Sequence, residues 1–231
     1  MADFNEAEVI VSQRGWLGQT LPWFQRLVLD RSQIQDFRAG TTICRVGDPL
    51  TGMHGLVSGG LALSITPDTR GPHIAHIALA GSWIGEGSAF TNEPQRLGLL
   101  TTRPTTLLHL PQSAIREIVD LDPNAWRYFG VAAALHFDSA IGAVGDLLIR
   151  DHVKRAIAVL LRLGGVRECT QSDLLPIELD ISQQDFATMA NLARTTVGTV
   201  FRMLEAAGQI SLSYRRVVIL APDALKAMLA S

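Results

Sequence analysis

Hydrophobic positions recur along the chain with two different periods, and each period predicts a different kind of element. From about 38 to 110, apolar and polar residues alternate in short stretches broken by Gly and Pro: TTICRVGDP, MHGLVSGGLALSITPD, HIAHIALAGSWIGEG and LGLLTTRPTTLLHLP. Turn signals roughly every 8–15 residues predict a β-sandwich or barrel there. Beyond it the period becomes helical. QSAIREIVD (112–120) reads as one short helix, and Asp122-Pro123 opens a long one running to about Arg150, since Pro suits a helix's first turn. Asp151 can cap the next helix, DHVKRAIAVLLRL.

Residues 181–208, ISQQDFATMANLARTTVGTVFRMLEAAG, read as two short helices joined by a tight turn. Ser182 is a good N-cap, and Asp185 can return a hydrogen bond to the cap's backbone. Phe186, Met189 and Ala190 share one face of a first helix over about 183–190. Asn191 tolerates the left-handed backbone that a sharp inter-helix turn requires. The second helix, about 194–207, buries Val197, Val200, Phe201 and Leu204 and ends at Gly208. Its polar face carries Arg194, Thr195, Thr196, Thr199 and Arg202. The following ISLSYRRVVIL (210–220) alternates, turns near Tyr214-Arg215 and alternates again, as a small β-hairpin does. A helix-turn-helix followed by a β-hairpin is a winged helix. Ser182, Gln183 and the polar face just named are its candidate DNA contacts, with Ser213, Arg215 and Arg216 at the wing as phosphate donors beside Tyr214.

The long helix carries a second pattern. Gly130, Ala133, Phe137, Ala140, Val144 and Leu147 follow the 3-4-3-4 spacing of a two-stranded coiled coil, so they are the candidate dimer seam. Packing of that stripe on the chain's own β-domain is the competing explanation. A dimer would give the winged helix the two-fold partner that palindromic DNA requires.

Composition narrows the function classes. With 231 residues and 47% hydrophobic content, the chain is long enough for one large domain or two smaller ones with real cores. Net charge is −2, whereas residues 182–216 hold four Arg against Asp185 and Glu205, a local balance of +2. Positive charge gathered on one module suits sequence-directed nucleic-acid binding. The start MADFNEAEVI does not read as a secretory signal, and no apolar run approaches the roughly 20 residues of a bilayer span. A cytoplasmic protein is expected. Cys44 and Cys169 lack metal or redox spacing and are expected as free thiols. Of the six histidines, His73 and His76 are closest, but their odd separation on a strand sends them to opposite faces. His54, His109, His136 and His152 read as scattered singly, so no metal site is expected. Nucleophile–base constellations are missing too, and an enzyme is not expected.

Four segments in order resemble the Crp/Fnr family, the cyclic-AMP-receptor type of bacterial transcription regulators. VGDPLTGMHGLVSGGLALSI (46–65) has the family's Gly-Asp-Pro turn, and GSWIGEGSAF (81–90) resembles its phosphate-binding cassette. VGDLLIRDHVKRAIAVLLRL (144–163) resembles its dimer helix and hinge, and RTTVGTVFRMLEAAG (194–208) its recognition helix. The resemblance implies an α+β chain: a cyclic-nucleotide-binding-like β-roll (a double-stranded β-helix) over 1–122, a dimerisation helix and hinge over 123–150, and a winged helix-turn-helix over 151–231. It implies a homodimer on a pseudo-palindromic operator in double-stranded DNA, with RNA polymerase as a further partner and no membrane.

The resemblance also implies an effector site. Gly85, Glu86, Gly87 and Ser88 match the cassette, whose Glu grips a ribose hydroxyl in cyclic-nucleotide binders, and Arg96 matches the phosphate-pairing Arg. Leu97 stands where Ser or Thr is expected, and Ala140 and Ile141 replace the Thr and Ser that contact the base. Three polar contacts are thus replaced, at a cost to specificity. Cyclic AMP, another small and more hydrophobic effector, or no ligand all stay open, and an internal Glu86–Arg96 ion pair is the structural alternative. At the DNA end, Thr195 and Thr199 replace the family's Glu and second Arg, and Ala193 replaces a capping Ser. Arg194 can still read a guanine edge, so the half-site is expected to share that contact and differ beside it. The alternative from another class is a ligand-binding or protein-interaction module with a vestigial helix-turn-helix.

Overall fold

The computed structural model describes residues 4–67, 71–167 and 176–230. They form two compact units, one built from the chain up to 72 and from 78 to 137, the other from 73–77 and from 138 onward. Cys169 falls outside the described residues, whereas Cys44 is a buried free thiol whose pKa burial pushes up.

The first unit opens with α1 (Phe4–Gln13), a 3-10 turn at Leu17–Gln19 and α2 (Pro22–Leu29), with Pro22 in the first turn. The strands follow: β1 (Gln33–Phe37), β2 (Thr42–Cys44), β3 (Gly52–Ser58), β4 (Leu61–Ile65), β5 (His73–Ala78) and β6 (Trp83–Ile84). After helix α3 (Glu86–Thr91) come β7 (Gly98–Thr101), β8 (Thr105–Pro111), α4 (Gln112–Leu121) and α5 (Ala125–Leu148).

One sheet is ordered β1–β8–β3–β6, and all its pairs are antiparallel. In the other, β7 lies antiparallel between β2 and β4. Alternation along the strands divides their side chains between two cores. Leu56, Ile84 and Leu107 face inward and meet Cys44, Leu61, Leu63 and Leu99 of the other sheet. Met53, Val57, Leu108 and Leu110 face outward and are covered by α1, α2, α4 and the start of α5. Trp16 anchors that cover, its ring 5.8 Å from Phe24, 5.7 Å from Trp83 and 5.5 Å from Phe129. Gly55 makes room beneath it, since a Cβ there would lie 2.6 Å from the Trp83 ring. This is the expected β-roll.

Helix α5 buries Ala125, Phe129 and Ala132 in the outer core. Its other face is bare. By length and composition alone it could cross a membrane, which corrects the expectation that no apolar run is long enough. Frequent Ala between the larger residues keeps its mean hydropathy high without a visible apolar block. The helix is also anchored by polar contacts: His136 pairs with Glu86, and Asp146 is fully buried against Arg162.

The second unit contains α6 (His152–Leu163), β9 (Ile177–Leu179), α7 (Gln183–Met189), α8 (Arg194–Ala206), β10 (Ile210–Ser213), β11 (Arg216–Ile219) and α9 (Pro222–Ala230). Asp151 caps α6 as expected, its Oδ1 accepting from the amides of Val153 at 2.8 Å and Lys154 at 2.9 Å. Those two amides help hold the Asp151 carboxyl below its usual pKa. Where α5 meets α6, Arg162 donates to Asp146 at 2.7 Å, and Arg167 contacts the same carboxylate. Gly142, one turn before Asp146, lies beside the Arg162 stem, whose Cδ would be in ordinary contact with a Cβ at that position, 3.5 Å away.

Candidate DNA-binding and effector sites

The helix-turn-helix is built by local signals. Ser182 Oγ accepts from the Asp185 amide at 3.1 Å and donates to the Asp185 carboxylate at 2.5 Å, so Asp185 returns its bond to the cap's hydroxyl. Asn191 adopts φ +49°, and Leu192 N donates back to Ala187 O at 2.9 Å, which closes the turn. Arg155 of α6 supports it, reaching Asn191 O and Ile149 O at 3.4 Å each. Behind the turn Phe186 and Phe201 pack with ring centroids 4.8 Å apart, while Val197, Val200 and Leu204 are buried. Ala193 precedes α8 without a capping side chain, and Gly208, φ +69°, follows its end.

The burial of that apolar face leaves Arg194, Thr195, Thr199 and Arg202 exposed, and Thr196 and Gln183 half-buried. Thr199 Oγ donates to Thr195 O at 3.2 Å, and Arg202 lies 3.4 Å from the Thr199 hydroxyl. The wing turns at Tyr214 and Arg215, with Arg215 at φ +55° and Ser213 opposite Arg216. Glu205 fastens α8 to the wing by accepting from the Leu212 amide at 2.9 Å. Strand β9, which the hydrophobic pattern did not reveal, adds a third strand to give the order β10–β11–β9. It brings carboxylates to the wing: Arg216 lies 3.3 Å from Glu178 and 3.5 Å from Asp180. Arg215 faces Asp185 at 3.7 Å.

The α5 stripe is uncovered. Phe137 is 65% exposed, Val144 56% and Leu147 42%, and Gly130 and Ala140 are exposed beside a half-buried Ala133. Within the first unit the core-facing positions of this helix are the neighbouring ones, Ala125, Phe129 and Ala132.

In the cassette, Gly85 precedes α3 with φ +118°, where a Cβ would lie 2.6 Å from the Gly52 carbonyl oxygen. Glu86 begins α3 and is nearly buried at 9% exposure. Its partner is His136, whose Nδ1 lies 2.6 Å from Glu86 Oε1, rather than Arg96. Burial works against a charged His136, but the Glu86 hydrogen bond and charge outweigh it and raise the pKa above its usual value. Arg96 is exposed, 3.4 Å from the Thr91 hydroxyl. Ser88 is buried and donates to Pro94 O at 3.1 Å. Leu97 packs against the core between the sheets, beside Cys44. Gly87 has open space around it, and Ala140 and Ile141 are exposed on the part of α5 that belongs to the second unit.

The expectation that these histidines are scattered singly is corrected twice. His136 has the carboxylate partner just described. His54 and His109 are cross-strand partners on β3 and β8, stacked with ring centroids 4.8 Å apart. Burial first, and the neighbouring His109 second, lower the pKa of His54 to about 4, so it is neutral at physiological pH. Pairing across strands is set by register and is invisible in linear spacing.

Two family models match the chain, the cyclic nucleotide-binding domain over residues 34–122 and the Crp-like helix-turn-helix domain over 154–228. The chain belongs to the Crp/Fnr family. Curated relatives include the cAMP-activated global transcriptional regulator CRP of Pasteurella multocida, 22% identical over 87% of this chain and 94% of that one. CRP of Escherichia coli O157:H7 is likewise 22% identical, over 87% and 93%. Similar solved structures include FixK2 from Bradyrhizobium japonicum, with TM-score 0.69 and 18% identity over 87% of this chain and 98% of that one. The c-di-GMP-responsive global regulator CLP of Xanthomonas campestris gives TM-score 0.62 and 20% identity over 86% and 98%. Crp/Fnr proteins are transcription regulators and not enzymes, and this member is a DNA-binding regulator with a β-roll and a helix-turn-helix. In this Crp/Fnr protein two features were not signalled by the linear pattern: His136 seated on the cassette glutamate, and carboxylates beside both wing arginines.

Proposed function

We propose that the chain acts as a homodimer that joins two copies along Gly130, Ala133, Phe137, Ala140, Val144 and Leu147. The dimer presents α8 to successive major grooves of a pseudo-palindromic DNA site. The bare apolar stripe on α5 carries this reading, because exposed Phe, Val and Leu at coiled-coil spacing gain stability only against a second apolar surface. Arg194 is the base-reading residue, suited to the O6 and N7 of guanine, and the Thr195 and Thr199 methyls suit a thymine methyl. Ser182, Gln183, Thr196, Arg202 and Ser213 line the same approach and serve backbone contacts. Work on promoters makes RNA polymerase the further partner and the cytoplasm the place of action.

The β-roll serves as the control domain. Names of relatives speak of activation by cAMP and response to c-di-GMP, but the polar contacts of this site are largely spent within the chain. Glu86 is taken by His136, Ser88 by Pro94, and Leu97 lies in the core. Control by an effector other than cyclic AMP fits that arrangement best. The test is gel retardation of genomic fragments with and without cyclic nucleotides. Retardation of a subset of fragments, unaltered by cyclic AMP, is expected. Failure to retard any fragment at low salt would refute the DNA-binding reading, and a strong cyclic AMP requirement would refute the reading of the pocket.

A further inference from the structure

The wing carries two arginines, yet neither is free. Strand β11 pairs with β9 so that Val217 lies opposite Leu179 and Val218 opposite Glu178. Arg216 therefore falls on the face that carries Glu178 and Asp180, and its guanidinium lies within 3.3 Å of one and 3.5 Å of the other. Arg215, aimed by its left-handed backbone, faces Asp185 at 3.7 Å, and the Ser182 cap holds that carboxylate in place. Once β9 is included, residues 176–216 contain Arg194, Arg202, Arg215 and Arg216 against Glu178, Asp180, Asp185 and Glu205, a net charge of zero. The local excess of +2 counted over 182–216 disappears when the sheet is assembled. Among the described residues, Arg194 and Arg202 of α8 are the arginines of this stretch that have no carboxylate within ion-pair distance.

We propose that Glu178 of β9 and Asp180 just after it are counter-charges that withhold Arg216 from DNA phosphate and so suppress sequence-independent binding, leaving the grip on DNA to α8. The proposal rests on the DNA-binding reading and adds which residues set the strength of the non-specific term. Non-specific affinity comes almost wholly from cations that displace counterions from phosphates, and each such contact adds about 0.9 to the slope of log affinity against log salt. An arginine between two carboxylates adds little, because a phosphate approaching it meets two negative charges first. The Arg216–Glu178 pair is exposed on both sides and individually weak, and the Arg216 end of the Asp180 pair is open to solvent although Asp180 itself is largely covered. Their removal therefore changes the surface field far more than it changes the fold.

The test is fluorescence anisotropy of the full-length protein on a labelled random-sequence duplex, titrated between about 50 and 200 mM salt, the range over which phosphate contacts dominate affinity. Glu178→Gln/Asp180→Asn is expected to tighten binding roughly three- to tenfold at the low end and to steepen the salt slope by about one per protomer. Arg216→Gln alone bares Glu178 and Asp180 and is expected to lower affinity slightly without flattening the salt slope, and to abolish the gain when added to the double variant. Unchanged affinity and slope in the double variant would overturn the proposal. So would a marked loss of binding from Arg216→Gln alone, which also decides the matter if the double variant does not fold. No binding by the wild type at low salt would remove the DNA-binding reading itself and the proposal with it. Wild-type binding with an inert double variant removes the proposal alone.

Discussion

Asp146 supports the sharpest energetic prediction, because its carboxylate is fully buried where α5 meets α6 and is contacted by two arginines. Replacing it with Ala removes the acceptor that Arg162 reaches at 2.7 Å and strands a guanidinium whose side chain is only 10% exposed. Burial already lowers the pKa of Arg162, but an arginine keeps its proton at neutral pH, so the charge stays without a partner. Breaking one partner of such a buried pair costs about 3–5 kcal/mol, against about 0–1 kcal/mol for an exposed pair. The structure places the loss near the upper range, because Arg167 converges on the same carboxylate and loses its contact too. Urea unfolding followed by circular dichroism, wild type against Asp146→Ala, measures the difference. Asp146→Asn is expected to fall between the two, since its carbonyl still accepts from Arg162. A loss below about 1 kcal/mol in the Ala variant would mean that the carboxylate is solvated, and the clasp reasoning would fail.

The other predictions concern binding, assembly and pH. Arg194→Ala is expected to cost about 1–3 kcal/mol on a specific site and to relax preference at one base pair; a uniform loss across sequences in a binding-site selection would make it a phosphate contact instead. Phe137→Asp puts a charge into the uncovered stripe and is expected to convert dimer to monomer in sedimentation equilibrium, while circular dichroism keeps the folded spectrum. The half-buried His136 and the buried His54 have opposite pH signatures. His136 is raised above 6.5 by Glu86, so its stabilisation is fully present below that value and is lost as pH rises through the folded pKa; Glu86→Gln should flatten the alkaline side. His54, lowered to about 4, must stay neutral, so stability should fall as pH drops from 6.5 toward 4, and His54→Gln should remove that part of the decline. Glu205→Ala leaves the Leu212 amide without its acceptor and is expected to destabilise by about 1 kcal/mol.

What the sequence disclosed and what it concealed follow a physical divide. Signals acting over one to four residues were legible: Ser182 and Asp151 as caps, Asn191 as the left-handed turn, Gly208 beyond α8 and the Tyr214-Arg215 reversal. The uncovered apolar stripe of α5 was legible as a pattern as well, because a helical period needs only one element to express itself. Strand β9 was not, since three residues show too little alternation to be separated from a loop. Its carboxylates meet Arg216 only after the sheet forms, so charge counted along the chain overestimated the positive field. Glu86 and His136 lie fifty positions apart. Nothing local ties a glutamate at the start of a short helix to a histidine on a long one. The family resemblance suggested which residues line the cassette, but the partners of those residues depended on packing that no motif encodes.

The Arg155 guanidinium spans the carbonyls of Ile149, just past the end of α5, and Asn191, in the turn between α7 and α8. Two segments some forty positions apart along the chain are thereby yoked at one side chain. Loss of the Arg155 guanidinium would therefore free both carbonyls at once, the end of the long helix together with the turn before the recognition helix.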